Sequence, residues 1–331
     1  ADGADFRSAY PVNLIPVPKA TGLSEGYLRP ADGIITLADG GGANRGGYRW
    51  RGVHYRVMGN SLLAVGSDGL FATVGTIAGT DWVVFDESFD YLAINGGGLL
   101  YLYDGTTLTQ VTDPDLGTSL DMVWINGYFV STDGAFLISS DINDPFSYNI
   151  LRYASSEISP DPVVALQKIR NEIYALNRYT VEVFGAVTNP GEGFPFARIE
   201  GAQIMKGAVG SRACCEFMQA LAFVGGGVND PPSVWMGASA QASKISTRDI
   251  DAILRGYTDV TLSALVMESR HDLGHEFLYV HLPDQTLVYD GGASAALGQP
   301  VWQMLKSAAG DRARGCVWCD GQWNVADPFG T

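Results

Sequence analysis

One short device recurs along this chain and limits what it can fold into: an apolar, alternating run, a tight turn, and a second such run. His54-Tyr55-Arg56-Val57-Met58 leads through Gly59-Asn60 to Leu62–Val65, and Tyr91–Ile94 leads through Asn95-Gly96 to Leu99–Tyr103. The pattern returns at Asn126-Gly127, Arg170-Asn171, Pro283-Asp284 and Asp320-Gly321. Alternation marks half-buried strands, and turn residues that tolerate positive φ mark hairpins. The turns mostly fall roughly 30–45 residues apart, the period of a four-stranded propeller blade and too long for a sandwich. The sequence therefore predicts an all-β fold, an irregular β-propeller of roughly five to seven blades.

Composition supports a globular chain. Of 331 residues, 46% are hydrophobic and 17% charged, too apolar and too weakly charged for disorder. No apolar run approaches the ~20 residues of a membrane-spanning helix, and nothing at the start reads as a secretory signal. Acids outnumber bases 36 to 21, a net charge of −15, which argues against sequence-specific or broad nucleic-acid binding because affinity for a polyanion comes from Lys and Arg.

Two segments depart from the repeats. Residues 1–48 carry Pro11, Pro16, Pro18 and Pro30 and then Gly40-Gly41-Gly42, and read as an extended N-terminal arm before a propeller over 49–331. Near 247–256, Thr247 is placed to cap a short inserted helix with Ile250, Ile253 and Leu254 on one face and Gly256 as its stop.

The residues that could carry chemistry do not converge. Cys316 and Cys319 form one C-x-x-C pair, but strand positions three apart face opposite ways, and Cys214-Cys215 is vicinal; buried, reduced structural thiols are expected. His271, Asp272, His275 and Glu276 lack the H-E-x-x-H spacing and read as a polar turn around Gly274, followed later by a Gly/Ala loop at 291–300. The glycine clusters lack a phosphate-loop context, and Ser131-Thr132-Asp133 opens a glycosidase-type box that fails at Ala135. The seven tryptophans are expected to fill the space between blades. No catalytic residue, cofactor or metal is expected.

A resemblance then enters on an ordered string of residues. Asp249–Thr258, Val266-Met267-Glu268-Ser269, His275-Glu276, His281-Leu282-Pro283 and Leu287–Asp290 resemble the packaged-DNA stabilisation proteins of short-tailed bacteriophages, also called tail accessory or hub proteins. Asp5-Phe6-Arg7, Pro11-Val12-Asn13, Pro18-Lys19 and Gly26–Arg29 are similar to that family's N-terminal arm. The resemblance implies a structural virion component located in the tail, forming a homohexameric ring below the portal-adaptor. Such a ring closes the DNA exit channel after packaging and carries tailspikes or fibres and a tail needle or plug. Family members continue past the propeller into a further β-rich region, so trimming at both ends of this sequence is an expectation and no partner contact is transferred to a particular residue. Within the arm, Arg7, Lys19, Tyr27 and Arg29 are the types enriched at interfaces and are the expected assembly anchors; the competing expectation is that they tie the arm to its own propeller. The alternative functions are a carbohydrate-binding or glycoside-hydrolysing propeller and an intracellular peptide-binding scaffold.

Overall fold

A computed structural model describes residues 10–19, 26–238, 241–306 and 313–327. The alternating runs become antiparallel meanders that follow one another around a ring. Blade 1 begins within the stretch read as arm: β3 (Asn44–Trp50), β4 (Val53–Met58), β5 (Ser61–Val65) and β6 (Phe71–Thr76), following the arm hairpin β1 (Leu14–Pro18) and β2 (Gly26–Pro30). Blade 2 is β7 (Val84–Glu87), β8 (Leu92–Gly96), β9 (Leu99–Tyr103) and β10 (Leu108–Gln110). Blade 3 is β11 (Asp121–Ile125), β12 (Tyr128–Thr132), β13 (Phe136–Asp141) and the 12-residue β14 (Asp144–Ser155).

Blade 4 is β15 (Val163–Ile169), β16 (Glu172–Asn177), β17 (Val181–Ala186) and β18 (Phe196–Arg198). In blade 5 the inner strand is split into β19 (Gly207–Ala208) and β20 (Cys214–Phe217), both pairing with β21 (Ala220–Gly226), followed by β22 (Ser233–Ala238) and β23 (Gln241–Lys244). Two short helices, α1 (Arg248–Leu254) and α2 (Asp259–Ser263), lead to blade 6: β24 (Val266–Asp272), β25 (His275–His281), β26 (Thr286–Asp290), α3 (Gly291–Leu297) and β27 (Trp302–Leu305). A last hairpin, β28 (Arg314–Cys319) and β29 (Gln322–Ala326), lies between blades 6 and 1, with β28 packed against both β24 and β3. The result is a six-bladed propeller whose ring is closed by a two-stranded seventh sheet.

Apolar side chains from facing blades fill the layers between them. Tyr55, Leu62 and Ile94 join blades 1 and 2, Leu102, Phe129 and Ile138 join blades 2 and 3, and Leu166, Ile173 and Phe184 take part between blades 3 and 4. Tyr174 and Phe223 pack between blades 4 and 5, and Phe217, Leu254, Leu278 and Trp302 between blades 5 and 6. Each such side chain contributes about 1.5–3 kcal/mol when fully buried, so these layers hold the ring against the entropy of ordering it.

Details differ from the sequence expectations for local reasons. The turn between β8 and β9 is Gly97-Gly98, both at positive φ, not Asn95-Gly96, because Asn95 is buried and donates to Ser119 Oγ at 2.6 Å. The expected Gly/Ala loop after Asp290 is helix α3, started by Asp290 Oδ1 accepting from Ala293 N at 2.9 Å and stopped by Gly298 at φ 66°. His271, Asp272, His275 and Glu276 belong to strands, the turn being only Leu273-Gly274. The tryptophans divide: Trp50 and Trp302 are buried between blades, whereas Trp318 is exposed on the seventh sheet. The helix at 248–254 has Thr247 as its cap, accepting from Ile250 N, and buries Ile250 and Leu254.

Candidate assembly surface and ring closure

Where the ring closes, polar groups take over from apolar ones. Arg56 on β4 is 4% exposed and spends its guanidinium on four acceptors. It donates to Asn44 Oδ1 at 2.9 Å, to the Gly315 carbonyl at 2.7 Å, to the Asn324 carbonyl at 3.4 Å and to His54 Nε2 at 3.3 Å. From the other side, Glu268 on β24 accepts from the N–H groups of Gly315 at 3.0 Å and Cys316 at 2.7 Å, and is held by His281 Nε2 at 2.6 Å. Gly315 sits at φ 69°, and a Cβ there would fall 2.8 Å from Arg56 Nη1, so only glycine lets the guanidinium approach this closely.

The electrostatics follow from burial and pairing. Burial lowers Arg56 to about 10 and, together with the Arg56 charge, lowers His54 to about 3, leaving that imidazole a neutral acceptor. Burial alone would raise Glu268, but the hydrogen bond and charge of His281 and the two backbone donors outweigh it and hold the carboxyl below its ordinary value. The same device joins earlier blades: Asp86 on β7 accepts from Trp124 N at 2.6 Å, and Asp121 on β11 from Leu166 N at 2.9 Å. Each carboxylate thus covers the inner edge of the following blade, whose N–H groups have no strand to pair with. Lys168 and Arg212 neutralise Asp86 and Asp121 at 3.0 Å and 3.1 Å.

The arm is strapped along the rim of blade 6. Val12 bridges Met304 in parallel fashion, and the Asn13 side chain donates to the Lys306 carbonyl at 2.7 Å and accepts from its N–H at 2.9 Å. Tyr10 hydrogen-bonds Thr247, and Ile15 is buried with Phe277, Tyr279 and Val288. The four expected anchors separate. Arg29 is half-buried and pairs with Asp32 at 3.2 Å; Asp32 in turn meets Arg270 of β24 at 3.3 Å, whose guanidinium lies over the Trp323 ring at 5.1 Å. Lys19 and Tyr27 are exposed and meet each other, the ammonium 5.3 Å from the ring centre. Arg7 lies outside the described residues.

Sequence reading passed over Arg56 and Glu268, although both stand inside strand patterns where alternation would bury them; a charge at a core-facing strand position is the signal that points to them. The four cysteines are free thiols, with Cys214 and Cys319 buried. His271 meets Glu276 at 2.7 Å and His275 meets Asp290 at 2.5 Å, while Asp290 also caps α3. These histidine pairs stabilise strand ends, and each stands apart from the Arg56–Glu268 cluster.

The profile of a family described as the β-propeller of bacteriophage P22 Gp10 matches residues 1–329. The tail hub protein gp10 of Salmonella phage P22 is 30% identical over 334 residues, covering 93% of this chain and 68% of that protein. Among solved structures, the Neurospora crassa Pan2 WD40 domain superposes with a TM-score of 0.52 at 13% identity, over 80% of this chain and 79% of that one. Kluyveromyces lactis Hsv2 gives 0.51 at 9% identity, over 85% and 88%; these two speak to the fold alone. The relationship to gp10 supports a place in the virion tail and does not favour the carbohydrate-active alternative. With propeller, arm and sequence in agreement, the chain belongs to the bacteriophage P22 Gp10 family and is homologous to a structural tail hub protein.

Proposed function

We propose that this protein is the hub of a short-tailed phage tail: a non-enzymatic, homohexameric ring below the portal-adaptor that closes the DNA exit after packaging and carries tailspikes or fibres and a needle or plug. The observation that carries the reading is the 30% identity to a tail hub over 93% of the chain. Its physical character suits the role. A net charge of −15 gives a surface that does not grip DNA and lets it pass during ejection. In this reading the residues before blade 1 form an arm used for assembly, with Lys19 and Tyr27 as outward anchors, Arg29 as a tether to the propeller, and Arg7 as part of the same arm.

The test is gold-labelled antibody against this chain on purified virions, imaged by negative-stain electron microscopy. Label confined to the neck and tail, in a few copies, is the expected result. Label on distal fibres or none on particles overturns it.

A further inference from the structure

Among the exposed apolar surfaces of the described residues, two lie three blades apart. The first is the outer part of the arm hairpin. Tyr27 and Leu28 are consecutive strand residues, so their side chains point to opposite faces, yet they are 52% and 54% exposed. Ile15 anchors the hairpin on blade 6 with Val17 packed beside it, while across the register pairs Val17–Tyr27 and Pro16–Leu28 the β2 side chains stay about half exposed, with Lys19 over the Tyr27 ring. A two-stranded hairpin is marginal by itself in water; β1 takes its support from blade 6, and β2 leaves its apolar pair for another surface to cover.

The second surface is the edge of blade 3. Between the pairs Ile138–Tyr153 and Ser140–Tyr148 the register of β13 and β14 slips, and residues 149–152 face Ser139 alone. The bulge pushes out Ile150 and Leu151, 60% and 74% exposed. It is a fixed shape: Asp113 and Asp115 accept from the N–H groups of Tyr148 and Ile150 at 3.0 Å and 3.3 Å, and Arg152 pairs with Asp141. Beside it Phe136 stands edge-on to Tyr153 at 5.2 Å and lines a groove of about 560 Å³ with Pro160, Pro162 and Glu157. Apolar side chains that a chain fixes in place and leaves in water mark an interface.

Charge matches the two. The exposed cation of the arm surface is Lys19, Arg29 being paired with Asp32, whereas the exposed charges around the bulge include Asp133, Asp144, Glu157 and Glu192. We propose that the arm hairpin of one copy docks on blade 3 of the next, with Tyr27 and Leu28 against the Ile150–Leu151 bulge and the Phe136 groove and Lys19 facing the acids. The contact rests on the reading of the chain as a ring-forming hub, and it supplies the heterologous, head-to-tail contact that such a ring requires.

The test uses the full chain and two surface variants, Leu28→Glu and Leu151→Glu, both checked for unchanged melting temperature. Sedimentation velocity at micromolar concentration should show association of the parent and, for each variant alone, weakening by about tenfold or more. Because the contact is heterologous, an equimolar mixture should restore one good interface and stop at a 1:1 dimer. A parent that stays monomeric, variants that associate like the parent, or a mixture that forms no dimer each overturns the proposal. So does retained self-association of Leu28→Glu combined with loss of another tail protein from the particle. Virion labelling decides the hub reading separately, so a chain that labels the tail but fails these assays sinks only the docking contact.

Discussion

Glu268 and Arg56 grip the same peptide from opposite sides. The Glu268 carboxylate accepts from the N–H groups of Gly315 and Cys316, while the Arg56 guanidinium donates to the Gly315 carbonyl at 2.7 Å. One residue comes from blade 6 and the other from blade 1, so the pair closes the ring through the backbone of the hairpin between them. Apolar layers resist separation of the other blades; here directional bonds to a largely desolvated peptide do so.

Removing Arg56 should take the guanidinium donor from the buried Gly315 carbonyl and from Asn44 Oδ1, which bridge blade 1 and the closing hairpin. Arg56→Ala is expected to cost about 1–3 kcal/mol for each buried acceptor left without a donor, Arg56→Lys less, because the lysine keeps the charge but not the fork. Urea denaturation of the three proteins checks the order, and equal stability of Arg56→Ala and the parent removes Arg56 from the closure.

Acid should act through His54. Its folded-state value is depressed to about 3 while an unfolded histidine titrates near ~6.5. Across that window the unfolded chain binds a proton that the folded chain refuses, so stability falls as pH drops, by up to about 1.4 kcal/mol per pH unit. Glu268, held below its ordinary value, adds stability that is present above the ordinary carboxylate range and lost as pH falls through its folded value. Denaturation curves between pH 7 and 4 should be flatter for His54→Asn than for the parent; parallel curves exclude this residue as the source.

The split inner strand of blade 5 depends on the absence of a side chain at Gly225. A Cβ on Gly225 would sit 1.8 Å from the Gly207 carbonyl oxygen, backbone against backbone. Gly225→Ala is expected to destabilise by about 1–3 kcal/mol and to speed amide exchange at Gly207 and Ala208. Unchanged protection there would show that β19 moves aside freely.

The arm should be released by a single change at its root. Asn13 exchanges two hydrogen bonds with Lys306 and sits at φ 56°, a conformation Asn tolerates and Ala does not. Asn13→Ala should cost about 1–3 kcal/mol locally and raise proteolytic cleavage between 14 and 30 without lowering the melting temperature of the propeller. A melting transition that falls with the cleavage rate would mean that arm and propeller unfold together.

The hairpins were legible because they rest on local physics. Alternation over a few residues and a turn residue at positive φ, as at Asn126-Gly127 and Asp320-Gly321, are properties of the chain itself, and their spacing yields blades. Family membership was legible in the same way, as an ordered string. The helix α3 was hidden because Gly and Ala carry no periodic apolar signal, and only the Asp290 cap, set by its place at the end of β26, starts it.

What the sequence by itself determined is therefore the strand inventory, the radial architecture and the kinship with a tail hub. Tertiary structure alone decided which charges are buried at the closure, that Arg29 turns inward while Lys19 and Tyr27 stay exposed, and that Ile150 and Leu151 are pushed into solvent. The physical reason is range: hairpins form between neighbours in sequence, whereas Arg56 and Gly315 meet only when the ring has closed and brought opposite ends of the chain together.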